Sequence, residues 1–154
     1  MRDLETMQLA LTAAETGHLV FTTVHANNAT EAVDRIVSAF PSDRQSMVRV
    51  QLSQCMIAAI FQALIPTKDK KSRVCAVEIL IGTPAVRNLI REEKTFQLPS
   101  VIQTGMKEGM QSLDQHLRQL LMKNIISQTE AAKYAQTKNI TQAQQQNIGG
   151  PKDG

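Results

Sequence analysis

One stretch limits what this chain can fold into more than any other: Gly17-His-Leu-Val-Phe-Thr-Thr-Val-His-Ala-Asn-Asn-Ala29. Its apolar run, Leu19 to Phe21, passes through Thr22 and Thr23 and reaches His25 at the head of a small polar loop. An amphipathic segment follows at once. Buried strand, polar tip and helix is the succession by which α/β proteins deliver a side chain to the ligand crevice at the carboxyl edge of a sheet. The pattern predicts a strand over residues 18–24. It leaves His25 with two readings: a ligand-facing group that donates a hydrogen bond to an anion or changes charge near neutral pH, or a histidine that merely closes a loop.

The flanks fit an α/β layer. Leu4, Met7, Leu11 and Ala14 share one helical face, and Gly17 is a natural residue to end that helix near residue 16. Asn28 stands three positions before Glu31, a capping-box spacing; Ala29, Val33, Ile36, Val37 and Phe40 form the apolar stripe beyond it, and Pro41 closes it. Ser42 and Gln45 repeat the cap signature. Val48, Leu52, Cys55, Met56, Ala59, Ile60 and Ala63 then keep helical spacing, although the run Phe61–Ile65 reads equally as strand. Beyond Pro66 and a charged turn, the β-branched run from Arg73 to Ile81 reads as a strand, which predicts a hairpin of 62–66 with 73–81. Thr83 and Pro84 begin a short helix as cap and first residue. In it, Val86, Leu89 and Ile90 point one way, and Arg87, Asn88, Arg91 and Glu92 can face a partner. Further helices are expected near Pro99–Thr104, from Ser112 through Leu113, Leu117, Leu120 and Leu121, and from Ser127 through Ala131, Ala132 and Ala135, with Gly105 and Gly109 bracketing a loop. From residue 137 the chain is rich in Gln, Asn and Lys, too polar to offset its ordering entropy, and is expected to be a disordered tail.

Composition narrows the class. Hydrophobic residues are 42% and charged residues 20% of 154, ordinary for a globular protein. Aromatics are 3%, so the core must come from Leu, Ile, Val, Ala and Met. A net charge of +3 permits a phosphate or an acidic partner but, without an aromatic–basic stacking surface, does not point to nucleic acid. Cys55 and Cys75 lack CxxC spacing or a neighbouring histidine pair, which predicts two buried thiols in a reducing compartment and no metal site. No signal-like segment opens the chain and no apolar run is long enough to span a bilayer, so a cytoplasmic location is expected.

The chemistry is incomplete. A phosphate cradle of the form GxxxxGK[ST] is absent, as is GxGxxG. His18 and His116 read as structural histidines. Glu78, alone in an apolar strand, should pair with a basic residue or lie on the solvent face, and only a buried and unpaired carboxylate there would suggest function. Arg2, Asp3 and Glu5 precede the first helix, where acids complement its positive end. Residues 1–82 thus read as part of an α/β core, residues 83–136 as a small all-helical unit, and residues 137–154 as the tail.

Several segments together resemble the secretion and type IV pilus motor ATPases: Met-Arg-Asp-Leu-Glu-Thr at 1–6, Ala-Leu-Thr-Ala-Ala-Glu-Thr-Gly-His-Leu-Val at 10–20, and Thr-Val-His at 23–25. Ala85-Val86-Arg87-Asn88-Leu89-Ile90-Arg91-Glu92 is similar to the Ala-Ile-Arg-Asn-Leu-Ile-Arg-Glu signature of the retraction ATPases that drive twitching motility, with Val86 in place of Ile, and Gly109-Met-Gln-Ser-Leu-Asp114 fits the same branch. The resemblance covers residues 1 to about 136. It implies the C-terminal portion of a RecA-like P-loop ATPase core followed by a small all-α unit, with the Walker A loop and the catalytic glutamate of the family lying upstream of Met1. It implies that Arg2 and Asp3 end a Walker B segment and that Thr23 and His25 form a His box sensing the γ-phosphate. Ala85 through Glu92 would then serve motor output. No metal ligand is implied within the chain, and the zinc-binding cysteines of type II secretion relatives are absent.

The function so implied is part of a hexameric, ATP-driven motor that powers pilus retraction at the inner membrane. ATP and Mg2+ would be its cofactors when intact, other copies of itself and an inner-membrane pilus platform protein its partners. This chain alone is expected neither to hold nucleotide tightly nor to hydrolyse it. The alternatives are a non-enzymatic module that docks on pilus machinery, and part of a pilus assembly or type II secretion ATPase, which the 85–92 signature disfavours.

Overall fold

Helix α1, Leu4–Glu15, is the first element of the computed structural model, which describes residues 4–137. The expectations for Arg2 and Asp3, and for the tail beyond residue 137, lie outside the described residues. Met7 and Leu11 bury the apolar face of α1. It ends in a Schellman turn: Gly17, at φ 93°, donates to Ala14 O (3.1 Å), and His18 N donates to Ala13 O (3.1 Å). The His18 ring closes on the same turn, its Nδ1 lying 3.1 Å from Thr16 Oγ1 and 3.2 Å from Ala13 O.

The strand expected over 18–24 is not formed. Residues 18–26 run without regular structure, leaving Leu19 69% and Phe21 89% exposed. A strand exists through the ladder it makes with a neighbour, and none of the described strands pairs with this segment. The only sheet among the described residues is the two-stranded hairpin of β1, Ala58–Pro66, and β2, Arg73–Ile81. It contains the predicted pairing of 62–66 with 73–81 and extends it.

Helices α2, Ala29–Ser38, and α3, Ser42–Cys55, follow the loop. Asn28 caps α2 as its spacing predicts, Oδ1 accepting from Glu31 N at 2.7 Å. At α3 the cap position belongs to Pro41, without a side-chain bond, and Ser42 is the first helical residue. The helical spacing read as far as Ala63 stops at Cys55. Met56 is already extended, and Ala58 begins β1, where alternate residues turn outward. The apolar spacing was compatible with both periods, and hairpin pairing decided between them.

The described residues form two units: 4–61 with 78–112, and 62–77 with 113–137. In the first, α4, Pro84–Arg91, and α5, Leu98–Thr104, join α1 to α3 around Val48, Leu52, Leu80, Val86, Ile90, Leu98 and Ile102. Thr83 caps α4 and Pro84 opens it, as read from the sequence. Each such residue fully buried contributes about 1.5–3 kcal/mol relative to exposure. The region between Gly105 and Gly109 is a 3-10 turn over Gly105–Glu108 rather than an open loop.

In the second unit, α6, Leu113–Met122, and α7, Gln128–Tyr134, bury Leu113, Leu117, Leu120 and Ala131, with Ile65 from β1 also fully buried. Ser127 caps α7, accepting from Glu130 N. His116 Nδ1 accepts from Val77 N at 3.0 Å, a structural role as expected. Asp114, 6% exposed, accepts from Gln136 N at 2.8 Å and Thr137 N at 3.0 Å. Cys55 and Cys75 are half-buried free thiols rather than fully buried ones, and burial raises the pKa of Cys55.

Two substitutions test these contacts. A Cβ at Gly82 would collide with Met56 O, so Gly82→Ala should lower stability by about 1–3 kcal/mol in chemical denaturation. Asp114→Ala removes the acceptor of the part-buried Gln136 and Thr137 amides and should cost about 0.5–1.5 kcal/mol or more, with limited proteolysis speeding up beyond Tyr134.

Candidate functional site

Thr23 and His25 lie on the extended segment that enters α2, and both are exposed. What holds this segment is the end of the helix behind it. The first N–H groups of any helix lack intrahelical acceptors, and here side chains supply them. Asn28 takes Glu31 N. The Glu31 carboxylate reaches back to Asn27, accepting from its backbone N at 2.8 Å and its Nδ2 at 3.0 Å, and also takes Arg35 Nε at 2.7 Å. The Asn27 N–H, then Arg35, hold the Glu31 pKa below the ordinary carboxylate range. The capping-box spacing foretold a Glu31 return bond; its target is Asn27, one residue before the cap.

Glu78 corrects the expectation of a solvent-facing strand carboxylate. It is 3% exposed, and its Oε1 accepts from Ala29 N, the first amide of α2, at 2.8 Å. A buried carboxylate is tolerated where hydrogen bonds replace its water, and the positive end of a helix is such a place. The sequence signal for it was present, an acid amid Val77, Ile79 and Leu80, but the acceptor's target was not readable from spacing.

Motif residues 85–92 form α4 and its cap. Val86 and Ile90 are fully buried and Leu89 packs on the same core; Ala85, Asn88, Arg91 and Glu92 are exposed. Arg87 corrects the expectation of a partner-facing side chain. It turns onto the C-terminus of α3: Nε donates to Gly82 O at 2.7 Å, Nη1 to Ser53 O at 3.3 Å and to Gln54 O, and Nη2 to Met56 O at 3.1 Å. A helix C-terminus presents orphan carbonyls and partial negative charge, and the planar fork of guanidinium satisfies several at once. Asn88 Nδ2 donates to Glu92 Oε1 at 2.9 Å, and Lys94 pairs with Glu92 Oε2 at 2.8 Å. Lys94, then Asn88, lower the Glu92 pKa. The outward polar set of α4 is therefore Asn88, Arg91 and Glu92.

The two predicted groups stand on different elements, and β2 runs between them. Glu78 holds the first turn of α2, and four positions later Gly82 O accepts from Arg87. No group of three His, Cys, Asp or Glu able to hold a metal ion occurs among the described residues. Among the same residues, no helix is long and apolar enough to cross a membrane.

Comparison with known proteins gives this arrangement its family. A "Twitching motility protein" of Neisseria gonorrhoeae is 53% identical over 136 residues, 88% of this chain and 36% of that protein. The "Type IV pilus retractation ATPase PilT" of Pseudomonas aeruginosa is 53% identical over 135 residues, 88% of this chain and 39% of that protein. A crystal structure of the pilus retraction motor PilT with bound ADP superposes with a TM-score of 0.80 at 42% identity, covering 89% of this chain and 38% of that one. The fold class is accordingly α/β, the C-terminal portion of a RecA-like ATPase. The chain thus spans less than two-fifths of the length of these relatives. The model of the family described as "Type II/IV secretion system protein" matches residues 1–150, and the chain belongs to that family.

Proposed function

We propose that the chain is the C-terminal part of an ATP-driven, ring-forming motor for type IV pilus retraction, working in the cytoplasm against an inner-membrane platform protein. The observation that carries this reading is the 85–92 segment, folded as a helix with a buried Val86–Ile90 face and an outward Asn88–Arg91–Glu92 face, in a chain 53% identical to two proteins named for twitching and pilus retraction. In this reading residues 1–82 complete an ATPase core and residues 83–136 form the helical output unit. Other subunits of the ring, six in the family, supply the rest of the assembly.

The chain's own residues fit ATP only in part. Its sequence has no phosphate loop, and no group of three His, Cys, Asp or Glu able to hold a metal ion occurs among the described residues. What it does offer is a donor. His25, exposed at the head of an anchored loop and preceded by Thr23, can hydrogen-bond a terminal phosphate, and Arg2 and Asp3 would close the Walker B segment. ATP, when bound by the intact motor, supplies a charge at that point which disappears on hydrolysis and release. A hydrogen bond to a charged group contributes about 1.5–3 kcal/mol, enough to shift a two-state equilibrium by about tenfold to a hundredfold. A second reading, a non-enzymatic module that docks on pilus machinery, draws on the exposed Leu19 and Phe21.

The purified chain is predicted to show no ATP turnover. Joined in frame to the N-terminal part of the gonococcal relative that it does not match, it should support turnover; in that chimaera His25→Ala should lower kcat by about tenfold or more with KM little changed. Arg91→Ala should leave turnover intact and abolish twitching in complemented cells. A chimaera that folds as a ring yet neither hydrolyses ATP nor restores motility would leave the docking module as the better reading.

The loop also has a predictable acid response. The folded-state pKa of Glu31 is lowered, so the stabilisation it gives is fully present above the ordinary glutamate range and is lost as pH falls through the lower folded value. The Asn27 amide resonance should move over that window, and Glu31→Gln should flatten the movement.

A further inference from the structure

We propose that Glu78 is a positioning residue for the loop that carries His25, tying that loop to the strand that leads into α4; the proposal rests on reading His25 as the phosphate sensor. The observations are geometric. The Glu78 side chain is 3% exposed and reaches across 49 positions of sequence to place Oε1 2.8 Å from Ala29 N. That amide belongs to the first residue of α2, four residues beyond His25.

The local caps serve other donors and leave the Ala29 amide to this carboxylate. Asn28 already satisfies Glu31 N at 2.7 Å, and Glu31 already satisfies Asn27 N at 2.8 Å. Asn at the cap position does this work at an exposed helix end without burying charge. A buried carboxylate, in contrast, carries a desolvation cost that only close hydrogen bonding offsets. The local caps fix the loop to its own helix. Glu78 fixes it to β2.

The strand is itself held where it leaves the sheet. Leu80 is fully buried, Gly82 N donates to Ile57 O at 2.7 Å, and Arg87 Nε donates to Gly82 O at 2.7 Å. A displacement of the His25 loop, through the Ala29 amide and Glu78, is therefore a displacement of β2 and of the first turn of α4. This gives the sensing loop and the motif helix one connection: a hydrogen bond from Ala29 to Glu78, the backbone from Glu78 to Gly82, and a hydrogen bond from Arg87 to Gly82.

The test uses the full 154-residue chain and two variants, read by amide exchange at Ala29 and by the ring resonances of His25. Glu78→Met keeps the volume and removes the acceptor; Glu78→Asp keeps the charge and withdraws it by one methylene. Both should speed Ala29 exchange by about tenfold or more and shift or broaden the His25 ring signals, while Ala131 in α7 keeps its protection. Glu78→Gln, which retains an acceptor oxygen at the same reach, should restore the wild-type pattern. His25 signals that stay unmoved while Ala29 is released, in either variant, would overturn the proposal. A role in packing alone predicts that Glu78→Met leaves His25 untouched. Should the Met variant fail to fold, the Asp and Gln pair decides in the same way. If His25 follows Glu78 but His25→Ala leaves turnover of the chimaeric motor unchanged, the linkage stands and the phosphate-sensor reading falls; loss of turnover in His25→Ala, with His25 signals unmoved by the Glu78 variants, does the reverse.

Discussion

Helices end with backbone groups that have no partner of their own, and the architecture of the first unit depends on how two of those ends are completed. The N-terminus of α2 is closed by Asn28, Glu31 and Glu78; the C-terminus of α3 is closed by Arg87. In both places a side chain from a distant part of the sequence completes the hydrogen bonding of a helix end. These contacts do more than stabilise single helices. They join the loop before α2 to β2, and they anchor the inward arginine of α4.

That second point changes how the retraction-type signature is understood. Read as a sequence, Arg87 and Arg91 look equivalent, two cations on the polar side of an amphipathic helix. In the fold they have opposite duties. Arg87 is turned into the protein and shares its donors among Gly82, Ser53, Gln54 and Met56 carbonyls, whereas Arg91 is exposed. The motif is therefore part clamp and part surface, and Val86 and Ile90, both without exposure, set the boundary between them.

Local chemistry was legible in the sequence wherever neighbours along the chain determine it. Asn28, Thr83 and Ser127 cap as their spacing with Glu31, Val86 and Glu130 indicated, Gly17 ends α1, and the hairpin follows its β-branched run. The apolar stripes through Val33, Val48 and Leu117 became core. What could not be read was settled by partners remote in sequence. Residues 18–24 had every property of a strand except a neighbour to pair with. The α3 pattern ran on past Cys55 because Ala59 and Ala63 fit a helix as well as a strand until β2 selected the latter. The targets of Glu78 and Arg87 are likewise decided by tertiary placement, although a lone acid in an apolar strand and an arginine beside buried Val86 were the visible signs. At the candidate site, Thr23 and His25 were found from their position at the end of an apolar run, and the role given to them still comes from the family likeness.

The segment from His18 to Ala26 has a bearing on how the chain behaves in solution. It carries backbone donors and acceptors that no described ladder employs, together with Phe21 at 89% exposure. Backbone outside any ladder, beside exposed apolar side chains, is open to pairing with a strand that arrives, and such association would follow mass action. The apparent melting temperature of the chain will then rise or fall with concentration according to whether native copies or unfolded ones occupy the template first.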